Sequence, residues 1–162
     1  MADLKAKAKE IKMVATDIDG VWTDAKMYYT SEGEFMKTFS TYDGMAAYLL
    51  QKNGIIVAIL TGENSDTVKA RAEKLKIKEV YVDEHEKLKR ITYLTKKYEI
   101  SLEQTAYIGD DINDLEVLNA VGLSAMTPNS PILDQLTPDY ITKREGGNGA
   151  FREFADLILK AR

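Results

Sequence analysis

The chain has no cysteine, which removes disulfides and thiolate metal centres at once and leaves compartment unreadable from thiols. It has a single histidine, His85, so a histidine-rich metal site is excluded too. It lacks an excess of positive charge: 22 Lys and Arg against 26 Asp and Glu leave a formal charge of −4, which offers no case for nucleic acid. No apolar run approaches the length that crosses a membrane. Residues 1–10 lack the apolar segment of a signal peptide. A soluble cytoplasmic protein without membrane or nucleic-acid partners is therefore expected. No repeat, low-complexity stretch or Pro/Gly/Ser-rich linker divides the 162 residues, so one domain spanning 1–162 is expected, long enough to bury a real core.

What is present begins with Asp17-Ile18-Asp19-Gly20-Val21, at the end of the apolar run Met13-Val14-Ala15-Thr16. Two carboxylates two residues apart stand where a buried strand runs out into a loop. A carboxylate there can attack phosphorus, and two together can hold a hard cation through oxygen. The same pentapeptide also fits a solvated turn, so its meaning depends on partners elsewhere in the chain.

Apolar runs rich in β-branched residues recur at 11–16, 55–61, 79–82, 105–109, 122–126 and 139–142. Helix-length segments lie between most of them. Asp43 begins one whose apolar stripe reads Met45, Tyr48, Leu49 and Leu50, with Gly54 as its stop. Ser65 begins the next, through Val68, Ala72 and Leu75; others are expected over 85–98 and 113–120. Repeated β-α units with buried strands predict an α/β fold, a mostly parallel sheet covered on both faces. In such folds the site lies at the carboxyl ends of the strands.

One segment breaks the alternation. Lys26-Met27-Tyr28-Tyr29 and Phe35-Met36-Lys37-Thr38-Phe39 flank a short Gly-containing loop, which predicts a β-hairpin over about 26–40. It leaves straight after the Asp17/Asp19 strand and should overhang the site as a flap. Its aromatic and methionine content must pack on something, since a lone hairpin is marginal. A second subunit and its own domain both remain open as that surface. Tyr28, Tyr29 and Tyr42 are candidates for a sugar-binding wall or for core packing. Trp22 is expected near the hairpin base.

The predicted strand ends collect at one edge: Asp17, Thr61-Gly62 and Gly109-Asp110-Asp111, with Lys87 at the start of the helix after the third strand. Each alone has an ordinary explanation as a cap, a turn or a solvated charge. Together they describe a pocket with several carboxylates, one hydroxyl and one ammonium.

With these residues the chain resembles the haloacid dehalogenase superfamily of aspartate-nucleophile phosphatases. The resemblance rests on Asp-x-Asp-Gly-Val at 17–21, Thr-Gly at 61–62, Lys87 and Gly-Asp-Asp-x-x-Asp at 109–114. More narrowly it resembles the capless branch that acts on octulosonate 8-phosphate (KDO 8-phosphate) or sialic-type nonulosonate (KDN) 9-phosphate. The hairpin, Thr-x-Asp-Gly at 41–44 and the glycine-rich segment 146–149 carry that narrower likeness. The resemblance implies a three-layer Rossmann-like fold without a separate cap domain.

It also implies roles. Asp17 is the nucleophile that forms an aspartyl-phosphate, and Asp19 the acid and then base. Asp17, the backbone carbonyl of Asp19 and Asp110 hold Mg²⁺. Thr61 and Lys87 meet the phosphoryl charge, and Asp111 and Asp114 support them from behind. The substrate class is a phosphorylated 2-keto-3-deoxy sugar acid, and the branch implies a homotetramer whose hairpins and tails close neighbouring sites. A tail with three glycines in four positions is expected to be flexible and to order with substrate. Lys143, Arg144 and Arg152 are candidate cations for an acidic substrate.

Gly62 and Glu63 follow Thr61 at the pocket mouth. Glu63 stands where the octulosonate phosphatases usually carry arginine, and Arg71 and Lys74 follow it on one helix face. Glu63 orienting Arg71 and Lys74 onto a substrate carboxylate leans the reading slightly toward the nine-carbon acid. A helix-start acid and a solvated helix face explain the same residues. Two other classes stay open. A phosphoacceptor receiver domain uses similar residues, but keeps its phosphoacceptor after the third strand rather than the first. A non-catalytic assembly module would have no chemical need for Asp17, Asp19, Thr61, Lys87 and Asp110 together.

Overall fold

The structure, a computed structural model, describes residues 2–162. Its strands are β1 (Met13–Thr16), β2 (Tyr28–Thr30), β3 (Gly33–Met36), β4 (Ile56–Leu60), β5 (Glu79–Tyr81), β6 (Thr105–Gly109), β7 (Leu123–Met126) and β8 (Tyr140–Ile141). Its helices are α1 (Ala2–Glu10), α2 (Thr41–Lys52), α3 (Asp66–Lys74), α4 (Lys87–Lys97), α5 (Leu115–Ala120) and α6 (Ala150–Leu159). Six strands form one sheet in the order β5-β4-β1-β6-β7-β8, and each neighbouring pair is parallel. β1 sits inside, with Val14 in register with Val57 on one side and Ala106 on the other.

Period-two alternation sends the strands' side chains into two cores. Val14, Val57, Ile59, Ala106 and Ile108 face one cluster with Ala46, Leu50, Val68, Phe151 and Phe154 from α2, α3 and α6. Met13, Ala15, Leu60 and Tyr107 face the other, with Ile91 and Leu94 of α4 and Val117 and Leu118 of α5. The three-layer α/β expectation holds. Strands fully buried on both faces read as continuous apolar runs, which is why they were visible in the sequence.

Local expectations are sharpened in some places and corrected in others. Of the expected α2 stripe Leu50 is buried, Leu49 is half-buried, and Met45 and Tyr48 are exposed; the buried face is Asp43, Gly44, Ala46, Ala47 and Leu50. Small residues face inward because α2 lies against α6 and β4, where bulk does not fit. Trp22 is buried on Phe151, with ring centroids 4.8 Å apart, in the cluster against which Phe39 at the end of the hairpin segment also packs. The segment 146–149 is docked rather than free. Gly147 N–H donates to Val21 O (3.1 Å) and Gly146 N–H to Asn129 Oδ1 (3.2 Å). A side chain at Gly146 would strike the carbonyl of Gly20, so only glycine lets the two backbones approach so closely.

The expected hairpin forms. β2 and β3 pair antiparallel, with Tyr29 opposite Glu34 and an irregularity between Tyr28 and Tyr29. Its aromatic side chains are in solvent, Phe35 at 70 % exposure, and with Tyr42, Met45 and Tyr48 they leave large apolar groups uncovered. Tyr28, Tyr29 and Tyr42 are therefore not core residues. No helix among the described residues is long and apolar enough to cross a membrane.

Candidate active site

Asp17 follows β1 directly. Its backbone N–H donates to Ile108 O (3.0 Å), which extends the ladder by one residue and fixes where the side chain leaves the sheet. The loop then winds tightly, with Val21, Trp22 and Thr23 all donating N–H groups to Ile18 O. Gly20 takes φ +83°, and a side chain there would overlap the Asp110 carboxylate. Glycine thus serves both the turn and the approach of β6's acid to β1's loop.

Lys87, the first residue of α4, is 2 % exposed. Its Nζ lies 2.8 Å from Asp17 Oδ2 and 2.7 Å from Asp114 Oδ1. Ile18 N–H donates to the other Asp17 oxygen (2.7 Å). Asp114 is fully enclosed. Its Oδ1 also accepts from Tyr107 Oη (2.5 Å), and its Oδ2 accepts from the backbone N–H groups of Asp110 (3.0 Å) and Asp111 (3.3 Å). Asp110 follows β6, and its carbonyl accepts from Ser130 Oγ (2.5 Å). Thr61, after β4, is buried; its oxygen accepts from Glu63 N–H (3.3 Å), which leaves its own proton free to donate.

The electrostatics follow from crowding. Burial, then Asp114, push the Asp17 carboxyl up to about 7 against the pull of Lys87. Burial, then Asp17, Asp114 and Asp111, push Asp110 up to about 8. Burial opposes the charge on Lys87, but Asp17 and Asp114 outweigh it and raise its pKa. Tyr107 is driven well above its ordinary range by burial and the same acids, so it stays a donor. One oxygen each from Asp17, Asp110 and Asp114 lies within 4.8 Å of the others. All three are buried, and no described donor reaches the Asp110 carboxylate. Each Asp114 oxygen already meets two donors, Lys87 and Tyr107 on one and two backbone N–H groups on the other. Each Asp17 oxygen meets one and the Asp110 carboxylate no described donor, so Asp17 and Asp110 keep the lone pairs to face a cation. An all-oxygen set with surplus negative charge fits a hard divalent ion such as Mg²⁺.

Asp19 lies at the edge of this cluster under the hairpin. Its Oδ1 accepts from Lys37 Nζ (2.6 Å) and, more weakly, from Thr23 Oγ1 (3.4 Å). Its Oδ2 is buried with no partner. Lys37 also meets Glu34 Oε2 (3.1 Å). Burial lowers the Lys37 pKa, but Asp19 and Glu34 more than compensate and the net shift is upward.

The structure thus brings Asp17, Asp19, Thr61, Lys87, Asp110 and Asp114 to the carboxyl edge of β1, β4 and β6, with Gly62 beside Thr61. Asp111 is exposed and accepts from Ile112 N–H (2.7 Å), a cap of the short 3₁₀ turn that follows. The group Glu63, Arg71 and Lys74 does not assemble within the chain. Glu63 and Lys74 are exposed without an ion pair, and Arg71 turns to α2, reaching Ser40 O (3.4 Å) and the Phe39 ring (5.9 Å). Gly44 is the reason, because a side chain there would block the guanidinium. Arg144 stacks over Tyr42 (5.6 Å) and Arg152 pairs with Asp156 (2.8 Å). Both line a separate cavity of about 860 Å³ between α1 and α6 that shares no residue with the carboxylate cluster. His85 is exposed, two residues before α4, and contacts Asp83 (3.0 Å).

Sequence reasoning missed Lys37, Tyr107 and Ser130. Tyr107 carried a signal, since a phenol in a buried strand three residues before Asp110 needs a buried acceptor. Lys37 and Ser130 carried none.

A model of haloacid dehalogenase-like hydrolases matches residues 32–122 of the chain. The 3-deoxy-D-manno-octulosonate 8-phosphate phosphatase of Haemophilus influenzae is 39% identical over 158 residues, covering 98% of this chain and 88% of that protein. The enzyme of the same description from Escherichia coli K12 is 38% identical over 160 residues, covering 99% and 85%. A crystal structure of 3-deoxy-D-manno-octulosonate 8-phosphate phosphatase from Moraxella catarrhalis, in complex with magnesium ion, phosphate ion and KDO, superposes with a TM-score of 0.95. It is 42% identical and covers 100% of this chain and 93% of that one.

Proposed function

The chain belongs to the haloacid dehalogenase-like hydrolases, and from that premise we propose that it removes phosphate from a 2-keto-3-deoxy sugar acid, foremost octulosonate 8-phosphate. The observation that carries the chemistry is the Asp17–Lys87–Asp114 bridge beside the unpartnered Asp110 carboxylate. The observation that favours the substrate is the similarity to relatives named for it over nearly their whole length. In this reading residues 1–162 are one catalytic domain with the hairpin at about 26–40 as its flap.

Lys87 and the Ile18 N–H hold Asp17 so that a carboxylate lone pair faces the phosphorus in line with the departing alkoxide. As the P–O bond to the sugar breaks, Asp19 delivers a proton to the alkoxide and Asp17 keeps the phosphoryl group. Asp19, now ionised, takes a proton from water. That water attacks phosphorus, breaks the bond to Asp17 and releases inorganic phosphate. Thr61 donates its hydroxyl proton to a phosphoryl oxygen, and Lys87 balances charge from behind Asp17. Mg²⁺, held by Asp17, Asp110 and the Asp19 carbonyl, would screen the approach of an anionic nucleophile to an anionic ester. Asp114 keeps Lys87 in place and Asp111 caps the turn beside it.

A nine-carbon substrate is the second reading. Glu63 in place of the arginine usual among octulosonate phosphatases favours it, although Arg71 and Lys74 do not join Glu63 within one chain. Assembly as a homotetramer is supported by the large apolar side chains left exposed on the hairpin, Tyr28 and Phe35, and on α2, Tyr42, Met45 and Tyr48. Sedimentation as a monomer at assay concentration would remove that part.

The test is phosphate release with Mg²⁺ from octulosonate 8-phosphate, a nonulosonate 9-phosphate, a hexose phosphate and an aryl phosphate. A much higher kcat/KM for the octulosonate ester is expected. Preference for the nonulosonate ester moves the assignment to nine carbons, and equal, poor rates on all four discard the sugar acid.

A further inference from the structure

The chemistry above leaves one buried ammonium without a task. Lys37 follows β3, and its side chain is wholly enclosed. Burying a lysine is costly, and an apolar side chain would close the base of a hairpin at less expense. The placement of its charge is specific. Nζ lies 2.6 Å from Asp19 Oδ1, and with Thr23 Oγ1 it occupies that oxygen alone. Asp19 Oδ2 is buried and receives nothing from the protein. A carboxylate clamped at one oxygen has its plane and its second oxygen fixed.

The clamp is anchored in turn. Lys37 meets Glu34 Oε2 (3.1 Å), and the other Glu34 oxygen accepts from Ser65 Oγ (2.5 Å). Ser65 is the N-cap of α3, four residues after Thr61. The hairpin is therefore pinned at two strand ends at once, to the loop after β1 through Lys37 and to the loop after β4 through Glu34. We propose that Lys37 is a positioning residue for Asp19: it immobilises Oδ1 so that Oδ2 is aimed at the ester oxygen that leaves. This rests on Asp19 being the acid of the proposed mechanism. The hairpin then contributes to the reaction itself, over and above covering the pocket.

Leaving-group dependence tests the inference, because protonation by Asp19 matters most when the departing oxygen is a poor leaving group. kcat/KM, which covers the steps up to its departure, is measured across 4-nitrophenyl phosphate, phenyl phosphate and octulosonate 8-phosphate. For Lys37→Met the expected loss is about 100-fold on the sugar ester and about threefold or less on the nitrophenyl ester. Lys37→Arg, which keeps the cation but moves it, should show the same trend at about 10-fold on the sugar ester, and stands in if the Met variant does not fold. Asp19→Asn should show the steep dependence by itself, and Lys37→Met added to it should cost nothing further. If Asp19→Asn leaves the sugar ester unaffected, the acid has been misassigned. If Asp19→Asn behaves as expected but the Lys37 variants slow all three esters equally, or none, the positioning role is overturned and Lys37 is structural.

Discussion

Two buried lysines, Lys87 and Lys37, each bridge a pair of carboxylates, and they differ in what carries them. Lys87 starts a helix that packs on the sheet, and its partners Asp17 and Asp114 come from loops directly after β1 and β6. Lys37 comes from a two-stranded hairpin whose aromatic side chains stand in solvent, and its partners retain 23% and 14% side-chain exposure. The first bridge belongs to the scaffold. The second joins an appendage to the scaffold, so its strength decides how well the appendage is placed.

The difference is widest for rate. Asp17→Asn should lower phosphate release by about a thousandfold or more while circular dichroism stays native, since it removes the nucleophile but not the sheet. A variant within tenfold of the parent would take Asp17 out of the reaction.

Stability separates the lysines next. Lys87→Met leaves two enclosed carboxylates facing each other and should cost about 3–5 kcal/mol in urea unfolding. Lys37→Met leaves partners that water can reach, so about 1–2 kcal/mol is expected. Equal losses would erase the distinction between scaffold and appendage.

Asp43 sharpens it further, as a buried acid without a lysine. Its Oδ1 accepts from Arg152 N–H (2.9 Å) at the first turn of α6, whose own N-cap, Gly149, has no side chain to offer. Its Oδ2 has no partner, and burial pushes its carboxyl up to about 6. A raised folded pKa means the native state binds the proton more tightly. Its contribution to stability is full below about pH 4 and is lost as pH rises to about 6, in all about 3 kcal/mol. Asp43→Asn keeps the acceptor and loses the charge. Relative to the parent it should gain stability between pH 4 and 6 and hold that gain at pH 8; a difference independent of pH would refute the buried charge.

The cation acts on the Lys87 side of the comparison. Asp17 and Asp110, pushed up to about 7 and about 8, cost the metal-free protein stability as pH rises from about 4 to those values. Protons compete with Mg²⁺ for both, so at one Mg²⁺ concentration, a hundredfold over Kd at pH 8.5, the cation should stabilise the protein by about 3 kcal/mol at pH 8.5 and by less at pH 6, read as the rise in Tm, and EDTA should reverse it. The increment should survive Lys37→Met, which lies outside the pair facing the cation, and a loss there would join the two regions.

The strand-end residues were legible because buried parallel strands announce themselves as apolar runs, and parallel order forces their ends to one edge. Asp17, Thr61, Lys87 and Asp110 came together for that reason. α6, which was not among the expected helices, carries its signal in Phe151, Phe154, Ala155 and Ile158, whose spacing is helical. α1 offers only Leu4 and Ala8 to the core among lysines, too little to read. What stayed hidden were contacts decided by three-dimensional fit. Nothing in Phe-Met-Lys-Thr-Phe says that its lysine turns inward while Phe35 turns out. Nor does the spacing of Arg71 and Lys74 reveal that Gly44 opens a berth for one of them on α2.

The docking of Gly146 against the carbonyl of Gly20 has a mechanical consequence. The loop that carries Asp17 and Asp19 lies beneath the strap that leads into α6, with Gly147 fastened to Val21 and Arg152 to Asp43. Tension applied at residue 162 would peel α6 away and unload this loop before any strand is sheared. In a single-molecule pull from the carboxyl end, catalytic competence should vanish at a lower force than the sheet does.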